Sequence, residues 1–163
     1  MKAKTAIFNA TPLISLAILG RLDLLEKLFL SIVIPESVAK EITVSGKPFS
    51  EELAEFINGR IRACSNRNLV QLFAFNLDAG ESEVLALYYE IENAVVVIDE
   101  EKARKLALRK EIPFIGTLGL LILAKKRGLV SEIRPLMDLL IKNGIHISER
   151  LYKRIISLAG ENH

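Results

Sequence analysis

Three acidic side chains and one amide stand where polar groups are costly unless they have a partner. Glu41 lies three residues after Val38 and next to Ile42, and Glu81 precedes Val84 and Leu85 on the same stripe. Helical periodicity therefore predicts that both face inward. Asn9 and Asp99 directly follow the apolar runs Ala6-Ile7-Phe8 and Ala94 to Ile98. An ionised carboxylate removed from water costs several kcal/mol, so converging acids need a shared cation or a proton. With one cysteine, Cys64, and only His146 and His163 for imidazole ligands, a bound metal must be held by oxygen. Mg²⁺ and Mn²⁺ are hard ions that take oxygen ligands and keep several waters. Such an ion polarises water and offsets charge on a phosphate, so the chemistry indicated is metal-assisted phosphodiester hydrolysis.

Each residue also has a plainer role. Asp99 suits the N-cap of the basic helix after it, and Asp78 to Glu81 reads as a capping-box helix start. Glu41 can sit at an edge and pair with Lys40, and Glu83 and Glu90 fall off the inner stripe and are expected to be solvated. Thr117 serves either as an N-cap or at the site. The run Lys102, Arg104, Lys105, Arg109 and Lys110 is either a solvated helix face or a set of phosphate contacts close to Asp99.

The elements that must position these groups alternate between strand and helix. Strands are predicted over Thr5 to Phe8, Ser31 to Ile34, Arg60 to Cys64, Ala94 to Ile98 and Pro113 to Ile115. Helices are predicted from Thr11-Pro12 as N-cap and first position, then over Arg21 to Phe29, after Pro35, Glu51 to Ile57, Ala79 to about Ile91, Glu100 to Lys110 and Thr117 to Arg127. Ser131 and Ser148 are N-cap candidates for two last helices, the first closing near Asn143-Gly144. Leu69 to Phe75 is apolar but has no clear period. Strands joined by helical crossovers imply a mainly parallel, doubly wound sheet with its ligand site at the carboxyl ends of the strands.

The 163 residues, half of them hydrophobic, show no linker, repeat or low-complexity tract, so residues 1–163 read as one domain. The longest apolar stretch, Leu118 to Ala124, is far short of the ~20 residues that span a bilayer. Met1 to Lys4 leads straight into a strand without a signal-peptide pattern, which predicts a cytoplasmic protein with no membrane association. The net charge of +2 does not by itself indicate nucleic acid. Leu24, Leu25, Leu28 and Phe29 belong either to the core or to a dimer or partner groove.

Taken together, Ile7 to Ile14, Ile34 to Ile42, Leu77 to Leu87, Val97 to Arg104 and Ile115 to Gly119 resemble the PIN-domain superfamily, within it the small prokaryotic branch related to VapC-type toxin nucleases. The resemblance implies a three-layer α/β fold with a mainly parallel five-strand sheet flanked by helices. It also implies a Mg²⁺- or Mn²⁺-dependent endoribonuclease, a toxin neutralised by an antitoxin protein, and a homodimer. By position the metal ligands fall on Asn9, Glu41, Glu81 and Asp99, with Glu41, Glu81 and Asp99 catalytic. Thr11 accompanies the first ligand, and Thr11, Arg104, Lys105 and Thr117 are the candidate RNA contacts. The superfamily usually has Asp where this chain has Asn9, whose amide oxygen ligates an ion but brings no charge. The alternative is a catalytically weak or inactive PIN module that binds RNA or protein. A receiver-type phosphoacceptor is disfavoured, because the first strand lacks paired acids.

Overall fold

The computed structural model describes residues 4–161. Met1, Lys2 and Ala3, expected to lead into the first strand, and His163 lie outside the described residues. Five strands are present, β1 (Thr5–Phe8), β2 (Ser31–Pro35), β3 (Ile61–Arg62), β4 (Ala94–Val97) and β5 (Phe114–Ile115). They form one parallel sheet in the order β3-β2-β1-β4-β5. Ten helices flank it among the described residues, completing the three-layer α/β arrangement. They are α1 (Ala10–Ile18), α2 (Asp23–Leu28), α3 (Glu36–Ile42), α4 (Ser50–Ile57), α5 (Arg67–Phe73), α6 (Ala79–Tyr88), α7 (Glu101–Arg109), α8 (Thr117–Lys126), α9 (Arg134–Lys142) and α10 (Glu149–Leu158).

The two central strands explain why the sheet must be covered on both faces. Ala6, Ile7 and Phe8 of β1 and all of Ala94–Val97 are buried, giving the continuous apolar runs that parallel strands require. Helix α6 contacts β1, β2 and β4 and packs against α3 and α5. Its Val84, Leu85, Ala86 and Leu87 are inaccessible to solvent, so this helix is buried nearly all round. Leu24, Leu25, Leu28 and Phe29 also belong to the core, and Phe29 meets the Phe8 ring edge to face at 6.0 Å.

The chain leaves β1 toward β2 and β3 on one side, then crosses to β4 and β5 on the other, so the topological switch lies between β1 and β4. Ligand crevices of open α/β sheets form at such a point, beyond the carboxyl ends of the strands.

Several helix starts differ from the sequence expectation. α1 begins at Ala10 with Asn9 as its N-cap residue, which puts Thr11 and Pro12 inside the first turn. Leu69 to Phe75 falls largely within α5, which Asn66 caps by accepting from the Leu69 N–H at 3.1 Å. Only Val70 and Phe73 of this helix are buried, too few to give a readable stripe. Ser131 does not cap α9. The N-cap residue is Ile133, and the Glu161 carboxylate accepts from the Ile133 and Arg134 N–H groups at 2.7 and 3.0 Å. Ser148 caps α10 as expected, and Gly144 takes the left-handed conformation, φ +89°, after α9.

Candidate active site

Two strand ends define the floor of the crevice. Asn9 ends β1, is buried, and donates its backbone N–H to the Val97 carbonyl of β4 at 3.0 Å. That bond fixes the Asn9 position against the neighbouring strand, while its side chain does not cap α1. Asp99 follows β4 and is half-buried. It does not cap α7, whose N-cap residue is Glu100. The Asp99 carboxylate instead accepts from the Thr117 N–H at 2.8 Å and from the Thr117 hydroxyl at 2.6 Å. Thr117 is thus the first residue of α8 rather than its N-cap, which is Gly116. An anionic carboxylate against a helix N-terminus is favourable, and two bonds from one residue set its rotamer. Each oxygen keeps a lone pair beyond those Thr117 uses.

Glycine permits this approach. A Cβ on Gly116 would stand 2.9 Å from Asp99 Oδ1, and one on Gly80 would stand 3.2 Å from Asn9 Oδ1 and 3.1 Å from a Val38 methyl. The Gly80 spacing brings the start of α6 against the end of β1. Asp78 caps α6, accepting from the Glu81 N–H at 2.8 Å, while Glu81 reaches back to the Asp78 N–H at 3.0 Å, a complete capping box.

Glu81 is buried, as its place in the helical pattern predicts. Burial raises its pKa above the ordinary carboxylate value, the Asp78 N–H bond partly opposes that, and the neighbouring charges of Asp78, Glu100 and Glu41 raise it further. Glu41 does not face inward. It is exposed, because the buried stripe of this short helix runs through Val38, Ala39 and Ile42. It remains within electrostatic reach of Glu81. None of Glu41, Asp78, Glu81, Asp99 or Glu100 has an ion pair among the described residues.

Glu83, expected to be solvated, is buried. It accepts from the Ser37 N–H at the start of α3 at 2.9 Å and pairs with Arg67 at 3.0 Å. Its pKa is lowered, burial being outweighed by the Ser37 and Arg67 bonds. Glu90 is also not merely solvated: it accepts from the Ser65 and Asn66 N–H groups and from the Cys64 thiol.

Of the candidate RNA contacts, Thr11, Arg104 and Thr117 line a cleft of about 700 Å³ that opens beside Asp99. Lys105 does not line it and forms an exposed pair with Glu101 at 3.1 Å. The Arg104 guanidinium lies over the Phe114 ring, 5.3 Å from its centroid.

Among the described residues no three His, Cys, Asp or Glu side chains stand close enough to form a ready-made ion cage. The donors nevertheless fit a hard divalent ion in kind, since all are oxygen and none of the acids around Glu81 forms an ion pair among the described residues. Asn9, Glu81 and Asp99 sit at or beside the switch point, and Glu41 joins them through its charge.

A parallel sheet in this order, covered by helices on both faces, defines a three-layer α/β fold. The family model DUF3368, described as a PIN domain, matches residues 5–161, and the chain belongs to that family. A search of curated proteins returns no match. No helix among the described residues is long and apolar enough to cross a membrane.

Proposed function

We propose that the protein is a metal-dependent endoribonuclease whose site is formed by Glu41, Glu81 and Asp99 with Asn9 as a neutral ligand. The observation that carries this reading is the set of carboxylates around Glu81, none of them in an ion pair among the described residues, at the switch point of a PIN-domain sheet. Mg²⁺ or Mn²⁺ held by these residues would offset phosphate charge and polarise a water for in-line attack. Thr117 holds the Asp99 carboxylate in one orientation through two bonds. The Asp78 N–H anchors Glu81 Oε1 at 3.0 Å. Arg104, beside Asp99 and without an ion pair among the described residues, attracts the phosphate backbone.

Asn9 favours a second reading, a PIN module that binds RNA or protein with weak or no cleavage, because the amide removes one negative charge from the ligand set. A toxin role with an antitoxin partner, a homodimeric state and a cytoplasmic location follow from the family resemblance and the sequence, and belong to this proposal.

Asp99→Asn tests the reading. It keeps the shape of the side chain and an oxygen acceptor for the Thr117 N–H but gives up the charge at the α8 N-terminus, so the melting temperature should fall by only about 2–4 °C. Mn²⁺-dependent cleavage of single-stranded RNA should fall at least ~100-fold, equivalent to about 2.7 kcal/mol in the transition state. Equal cleavage by both proteins at matched purity removes Asp99 from the chemistry.

A further inference from the structure

The cleft beside Asp99 is built from parts that phosphodiester chemistry does not need. One wall comes from the end of β5 and the start of α8, through Phe114, Ile115 and Ile122. The opposite wall comes from the α9–α10 connection and α10, through Ile145, Ile147, Leu151 and Leu158. A hydrolytic site acting only on the sugar-phosphate backbone has no use for an apolar trough of about 700 Å³ at its edge, a volume within the ~300–1,000 Å³ typical of pockets for small organic groups.

Three observations indicate what would enter it. Arg104 and Arg154, which both line the cleft, have no ion pair among the described residues, so two unpaired guanidinium groups stand in its lining beside Asp99 and Glu100. The Arg104 guanidinium is already held over the Phe114 ring, leaving a flat cationic surface of the kind on which unstacked bases lie. Ser15, which also lines the cleft, is fully buried, and its hydroxyl is the one buried side-chain polar atom without a partner among the described residues. An unpartnered buried hydroxyl is rare and marks a place where a polar group of a ligand or a water belongs.

We propose that this cleft is a nucleobase subsite, taking the unpaired base of the nucleotide next to the phosphate that lies at Asp99. The inference rests on the nuclease reading of Asp99 and adds to it a requirement for single-stranded RNA with a base free to leave its stack. The base lies against Arg104 and the Leu151–Leu158 wall, and Arg154 meets the neighbouring phosphate. The α9–α10 segment therefore selects substrate while the strand ends carry out the chemistry.

The test compares a short single-stranded RNA with an oligomer of equal length and charge that has abasic sugars. Binding is followed by fluorescence anisotropy in EDTA, so that no cleavage occurs. Stacking contributes ~1–3 kcal/mol per base, so the wild type should bind the abasic oligomer roughly 10- to 100-fold more weakly. Leu151→Glu and Leu158→Glu place charge on the wall at residues 40% and 60% exposed, where folding tolerates it. In both variants the ratio between the two oligomers should fall toward one, with the melting temperature unchanged. Equal binding of the two oligomers by the wild type, or a ratio unaltered in both variants, overturns the subsite. Cleavage of the intact RNA that still depends on Asp99 would then leave the nuclease reading standing, whereas loss of that dependence would remove the nuclease reading itself.

Discussion

Glu81 and Glu83 are two residues apart on one helix and both are buried, yet their surroundings are opposite. Glu83 meets an Arg67 guanidinium and the N–H of Ser37, and its pKa is lowered. Glu81 meets one backbone N–H and three further acids, and its pKa is raised. The first carboxylate ties α5 and α6 to the start of α3, and the fold supplies its cation. The second stands in a field that the fold leaves negative. Glu83 has its cation from the fold, whereas Glu81 has no ion pair among the described residues, so its charge calls for a cation or a proton from elsewhere.

The largest effects are expected where this contrast is broken directly. Glu83→Gln removes the charge opposite Arg67 and weakens the tie to Ser37, so stability should fall by ~1–3 kcal/mol, the usual range for losing a charged hydrogen bond at a partly screened site. Glu81→Gln keeps an acceptor for the Asp78 N–H and removes repulsion from Asp78, Glu100 and Glu41. In EDTA its melting temperature should match or exceed the wild-type value, while Mn²⁺-dependent RNA cleavage drops ~100-fold or more. Paired thermal melts and cleavage assays read both, and a Glu81→Gln protein that melts well below Glu83→Gln would make Glu81 a structural residue.

A smaller change is expected from Asn9→Asp, which sharpens the contrast by adding a charge at the end of β1. Cleavage should rise about tenfold, corresponding to ~1.4 kcal/mol in the transition state. The Mn²⁺-induced increase in melting temperature should also be larger than for the wild type, because the added acid destabilises only the ion-free form. If neither quantity changes, Asn9 does not face the ion.

Much of the fold was readable because its signals are local. The β-branched runs of β1, β2 and β4 and the apolar spacing of α6 mark themselves within a few residues, and the strand and helix alternation then gives the parallel sheet. The polar residues at the strand ends, Asn9 and Asp99, were visible for the same reason. The rest depends on partners distant in sequence. Glu83 is buried because Ser37 is 46 residues away and Arg67 is 16 away, and neither can be seen from the helical stripe. Asp99 could be read as capping the helix that follows it, whereas its partner Thr117 lies 18 residues further on. Glu41 was misplaced because a seven-residue helix has room for one buried stripe, and Val38, Ala39 and Ile42 already fill it. Gly116 carries no local signal of its role, since the Asp99 oxygen that leaves no room for a Cβ belongs to a residue 17 positions earlier.

No effect on cleavage is expected at Glu161, a third buried carboxylate and the most completely compensated. It pairs with Lys125 at 2.7 Å, caps the start of α9, and has its pKa lowered to about 2. A lowered pKa contributes stability above the unfolded value near 4.5 that is lost as pH falls toward about 2. Glu161→Gln should therefore flatten the fall of melting temperature between those two pH values and leave cleavage at neutral pH unaltered. An acid limb as steep as the wild type's would show that the Lys125 pair is not what stabilises this end.

The central claim, that the acids without an ion pair at the switch point bind a divalent ion, is tested most directly by counting bound Mn²⁺. The paramagnetic signal of free Mn²⁺ is titrated in the presence of the wild type and of the Glu81→Gln/Asp99→Asn double variant, with Glu83→Gln as the control. The account predicts one saturable site in the wild type and in Glu83→Gln, and its loss in the double variant. Equal Mn²⁺ binding by the wild type and the double variant, or no saturable binding by either, would contradict it.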